Sequence, residues 1–138
     1  MSNIDLSKAI PADTIRSAGH NALSAQLAEL RLGLESDAVE LPDGMAIQAS
    51  RAARAELATQ HFLRQTGVAE GPLNWKGPQG WISLSPDMLG LVLWKISTRV
   101  QALFRAEQQV QAQITSDELT TFAEVEQAFL EALDQSTR

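Results

Sequence analysis

Apolar positions along this chain change period several times. From Ala12 to about Glu35, Leu23, Leu27, Leu30 and Leu34 step by four and three, which places them on one face of a helix. Pro11 disfavours helix at Ile10, and Asp13 suits the positive end of the helix dipole. The period then shortens to two. Val39 and Leu41 alternate with Glu40, Pro42-Asp43-Gly44 supplies turn chemistry, and Met45 and Ile47 alternate with Ala46 and Gln48. This predicts a β-hairpin, because glycine after aspartate takes a positive φ at no steric cost. Ser50 is placed to cap a helix over residues 51 to about 65, which Gly67 ends.

The order then repeats. Leu73, Trp75, Trp81, Ile82 and Leu84 flank "KGPQG", predicting a second hairpin whose opposite arms carry Trp75 and Trp81, close enough in sequence for the pair to form across the strands. Ser85-Pro86-Asp87 combines a cap, a first-position proline and a first-turn acid, so a long helix should run to about Ile114. Thr115 or Ser116 should cap a last helix ending near Gln135, with Asp117 and Glu118 favouring its start. The predicted fold class is α+β and mainly α by content: two β-hairpins each followed by a helix, an N-terminal helix and a long heptad-patterned helix. The expected domains are an N-terminal attachment segment over 1–11 and a single domain over 12–138, with a helical oligomerisation region over 85–135.

In the long helix Leu89, Leu93, Ile96, Val100, Leu103, Glu107, Val110 and Ile114 keep a heptad spacing. Such spacing serves either a core inside one chain or a coiled-coil seam between chains. A thirty-residue helix spans about 45 Å, long for a domain this small, so its tail is expected to extend beyond a compact head. The expected oligomer interface is Ile96, Val100, Leu103, Glu107, Val110 and Ile114, with Glu107 either paired with Arg99 or Arg105 or facing water. Near the start, Ile4, Leu6 and Ile10 accompany polar Asp5 and Lys8, and this segment is expected to pack against another subunit or a neighbouring protein.

Composition narrows the function classes. The 138 residues carry a formal net charge of −6, which argues against nucleic acid and anionic membranes as partners, since both attract basic surfaces. Cysteine is missing, so disulfides and thiolate metal sites are excluded. The opening "MSNIDLSKAIPAD" has no basic stretch followed by an apolar run, so no secretory signal is expected. The two histidines, His20 and His61, have Ser24 and Gln65 four residues on, which makes no helical metal pair. The acids Glu35, Asp37, Glu40 and Asp43 cluster near the first hairpin, but "ESDAVELPDGMA" does not close with the glutamate that a calcium loop needs. No nucleophile elbow or phosphate-cradling glycine loop occurs. No catalytic residue, metal or cofactor is therefore expected. The tryptophans say more: Trp75, Trp81 and Trp94 either build a small core or, at Trp75 or Trp81, anchor a partner.

The succession "LPDGMAIQASR", "LNWKGPQGWISLSPDML" and "VQALFRAEQQVQAQI" followed by "TSDEL" resembles a family of small bacteriophage and prophage tail proteins encoded beside tail-fibre genes. The matching features are Ile47 with Gln48 after the first turn, Trp75 with Gly80, and Phe104 with Glu107. "IDLSKAI" is similar to the openings of such proteins, and the resemblance covers Leu41 to about Leu119. It implies a structural tail component that docks a tail fibre to the baseplate as a homo-oligomer, a trimer being favoured because such fibres are commonly threefold. It implies a virion location after synthesis in the bacterial cytoplasm, and no catalytic residues. Two alternatives stand beside it: a fibre-assembly chaperone missing from the mature virion, and a small regulatory or ligand-binding module.

Overall fold

A computed structural model of the chain describes residues 11–136; Ile4, Leu6 and Ile10 lie outside the described residues. The fold is α+β and mainly helical. In chain order it runs α1 (Ala12–Glu35), β1 (Val39–Glu40), β2 (Ala46–Ile47), α2 (Arg51–Gln65), β3 (Leu73–Gly77), β4 (Gly80–Leu84), α3 (Pro86–Thr115) and α4 (Phe122–Ser136). The strands form two antiparallel pairs, β1 with β2 and β3 with β4. The chain divides into two compact units, one of residues 31–105 and one of residues 1–30 with 106–138, so α1 and α3 each contribute to both.

The unit of residues 31–105 holds both hairpins. In the first, Val39 faces Ile47 and Glu40 faces Ala46. Its turn closes because Gly44 takes φ +85° and the Asp43 carboxylate accepts the Met45 N–H at 3.0 Å. α2 starts where the Ser50 hydroxyl accepts the Ala53 N–H at 3.2 Å. In the second hairpin Leu73 faces Leu84, Trp75 faces Ile82, Lys76 faces Trp81 and Gly77 faces Gly80. Gly77 is required there: a Cβ would lie 2.7 Å from Ile82 Cδ1 and 2.9 Å from the Ala46 carbonyl oxygen. Gln79 ties the two hairpins together, its side-chain carbonyl accepting the Ala46 N–H at 3.1 Å. α3 is capped as its sequence predicts, by the Ser85 hydroxyl on the Met88 N–H at 3.1 Å. Leu41, Ile47, Leu57, Leu73, Ile82, Leu84, Leu89, Val92, Ile96 and Val100 form one buried cluster beneath these elements.

In the other unit the buried apolar residues are Leu23 and Leu27 of α1, Ala106, Val110 and Ile114 of α3, and Val125, Phe129 and Ala132 of α4. α3 ends at a left-handed residue, Asp117 with φ +63°, and the Glu118 N–H returns to the Gln113 carbonyl at 2.9 Å. The last helix starts later than expected. Thr115 is the last residue of α3, Ser116 lies in the turn after it, and α4 begins at Phe122 behind a reciprocal cap. There the Thr121 hydroxyl accepts the Glu124 N–H at 3.2 Å while the Glu124 carboxylate accepts the Thr121 N–H at 3.1 Å.

Most positions of the expected oligomer seam are buried within the single chain. Ile96, Val100, Leu103, Val110 and Ile114 are each less than a tenth exposed within the single chain, and Glu107 is half-buried. A heptad spacing fits an inward helix face as well as a seam, and here the chain's own residues cover it. The tail of α3 belongs to the unit without the hairpins, where its Ala106, Val110 and Ile114 are buried.

Candidate functional site

Strand alternation decides the roles of the two hairpin tryptophans. In an antiparallel pair, directly opposed residues share a face, and successive residues point to opposite faces. Trp75 lies opposite Ile82, on the face that carries Leu73 and Leu84, and is half-buried against the core cluster. Trp81 lies opposite Lys76 on the other face and is 73% exposed. A Trp75–Trp81 pair therefore does not form: with the register set by Gly77 facing Gly80, the two rings have opposite parity. Trp81 instead has the Lys76 ammonium 6.0 Å from its ring centroid, at the outer limit of a cation–π contact. Asn74 and Ser83, also opposed, complete this outer face, which carries one large aromatic ring among three polar side chains.

Beside β4 lies a cleft of about 300 Å³ lined by Leu41, Pro42, Pro72, Ile82, Leu84 and Met88, with Asp43, Ser83 and Ser85. Two of its polar groups are already engaged, the Asp43 carboxylate in the first turn and the Ser85 hydroxyl in the α3 cap. The lining thus offers shape and apolar surface more than reactive groups. Other large apolar side chains are exposed in the same unit: Phe62 and Val68, with Leu91 and Trp94 on α3.

One electrostatic feature, of which the sequence reading named only Glu35 and Asp37 as members of an acidic cluster, lies at the end of α1. Glu35, at the end of α1, is 2% exposed and accepts hydrogen bonds from three arginines. Arg54 Nη2 lies 2.5 Å and Arg51 Nε 3.2 Å from its Oε1, and Arg31 Nη1 bonds its Oε2. Burial pushes the Glu35 carboxyl up, but the hydrogen bonds from Arg54, Arg31 and Arg51 outweigh it and hold the group at about 2. Arg99 donates to the Leu34 carbonyl at 2.6 Å and to the Asp37 carbonyl at 3.2 Å, satisfying carbonyls at the α1 terminus. Arg31 also stacks over Phe104, 5.2 Å from the ring centroid.

Each histidine meets a neighbour within its own unit. His20 Nε2 lies 2.7 Å from Asp117 Oδ1, and the same carboxylate takes Arg16 at 2.5 Å. His61 rests on α3, its Cε1 3.3 Å from where a Gly90 Cβ would stand. Among the described residues no group of three or more histidine, aspartate or glutamate side chains could hold a metal ion, and no helix is long and apolar enough to cross a membrane. Comparison with known proteins finds no matching family model, no similar characterised protein and no similar solved structure.

Proposed function

We propose that this chain is a non-enzymatic docking module of a bacteriophage tail, which holds a tail-fibre or baseplate protein against the outer face of the β3–β4 hairpin. One observation carries the reading: Trp81 stands 73% exposed on a hairpin whose opposite face is packed into the core. An aromatic ring on a rigid strand buries a large area at small entropic cost when a partner covers it, which is why tryptophan is enriched at interface hot spots. The tail setting rests on the resemblance of the hairpin and helix motifs to tail-associated proteins. Five of the six seam positions are buried in the chain's own cores and Glu107 is half-buried, so they lend the trimer no support.

Mass spectrometry of purified particles tests the structural role. The chain should be present in intact particles at a fixed ratio to the fibre. Its absence from particles while it co-purifies with fibre in lysates would replace this reading with the assembly chaperone. A Trp81→Ala chain that folds normally should be lost from particles; full incorporation of that variant would remove the hairpin face from the proposal.

A further inference from the structure

At the end of α1, four guanidinium groups, those of Arg31, Arg51, Arg54 and Arg99, surround two carboxylates, Glu35 and Asp37. Three guanidinium groups thus meet at the single carboxylate of Glu35, in a chain whose net charge is −6. The three do not hold it equally. Arg54 and Arg31 hold Glu35 at short distance, whereas Arg51 reaches it only through Nε at 3.2 Å with its side chain 68% exposed. Both Nη groups of Arg51 are left for other acceptors, and the first turn of α2, where Arg51 sits, contains no acid. A planar guanidinium presenting two such donors matches a carboxylate in a two-point fork.

We propose that Arg51, flanked by Arg54, receives a carboxylate from an acidic segment of a partner protein. This surface is distinct from the Trp81 face and stands or falls without it. The chain's own charge makes the site selective. Residues 1–30 and 106–138 carry ten acidic against three basic residues, so an acidic segment is repelled there and drawn to the arginine patch.

The test titrates a capped (Glu-Ala)4 peptide into the ¹⁵N-labelled full chain. The Arg51 Nε–Hε signal and the Arg51 and Arg54 amides should shift first, and binding should weaken as ionic strength passes ~0.15 M. Arg51→Gln should lower affinity about fivefold or more, Arg51→Lys less, and Lys76→Gln hardly at all. Arg51→Gln should stay folded, since Arg31 and Arg54 still hold Glu35; if it does not, the Arg51→Lys and Lys76→Gln comparison decides alone. Shifts spread over all basic residues, or equal losses in the Arg51 and Lys76 variants, would overturn the site. Equal shifts with inorganic phosphate at the same concentration would mean an adventitious ion only and would overturn the acidic partner.

Discussion

A carboxylate removed from water is costly unless charged partners replace the water, and Glu35 shows the condition met three times over. Its folded-state value of about 2 lies below the ordinary glutamate value near 4.3, so the folded form binds the proton less readily than the unfolded one. The stabilisation is therefore present above about pH 4.3 and is lost as pH falls towards 2, and its size is on the order of 3 kcal/mol. Urea melts between pH 7 and pH 2 should show a flat region and then a decline in that window; a decline already complete at pH 5 would contradict this assignment. Arg54→Ala should cost roughly 2–3 kcal/mol, because Glu35 stays buried with fewer donors. Little of the cluster was legible beforehand. Arg31 sits one helical turn before Glu35, a readable spacing, but Arg51 and Arg54 come from 16 and 19 residues further on. The tryptophans were legible as a pair of options, and only the register separates them. Trp81→Ala should change stability by less than about 0.5 kcal/mol, while Trp75→Ala, which removes a ring packed on the core, should cost more than about 1 kcal/mol.

Three features followed the sequence reading, each set by a local hydrogen bond. Ser50, Ser85 and the Asp43-Gly44 turn each place a polar atom at a position the local pattern predicts. The start of α4 did not follow, because "TSDEL" offers a hydroxyl and two acids that look like a helix start. The chain instead wraps through a left-handed Asp117, held by Arg16 and His20. The signal that locates the start was present six residues later, as the Thr121–Glu124 spacing of a capping box. Thr121→Ala should cost about 1 kcal/mol and fray the first turn of α4, visible as faster amide exchange at Glu124 and Val125; unchanged exchange there would mean the box contributes nothing. α3 shows the limit of periodicity. Ile96, Val100, Leu103, Val110 and Ile114 would be spaced identically in a seam or a core, and only tertiary burial distinguishes the two. Val100→Asp with Leu103→Asp should accordingly unfold the chain. A folded variant that merely changes oligomeric state, seen by light scattering with circular dichroism, would restore the seam.

At the scale of the whole molecule, charge is divided as unevenly as structure. The unit of residues 1–30 and 106–138 has ten acidic and three basic residues, a net −7, so residues 31–105 must carry +1 for the chain to total −6. The acids of α4, Glu124, Glu126, Glu131 and Asp134, lie within four turns of one another, and like charges at that density oppose compaction. The other unit depends on attraction, and its main ion cluster surrounds a carboxylate only 2% exposed, which salt screens weakly. Salt should therefore act on the two units differently. Raising sodium chloride from low ionic strength to ~1 M shortens the screening length to about 3 Å and relieves the repulsion in the acidic unit. Amide exchange at Val110, Val125 and Phe129, all buried there, should slow by a few fold. Exchange at Leu57, Leu89 and Val92, buried in the other unit, should stay level or quicken slightly. Hydrogen-exchange mass spectrometry at the two ionic strengths measures both sets in one sample, so a general salt effect on folding cancels in their ratio. An unchanged ratio would show that the acidity of the first unit is already neutralised locally, by contacts like those of Asp117 with Arg16 and His20, and that its surplus charge does not set its stability.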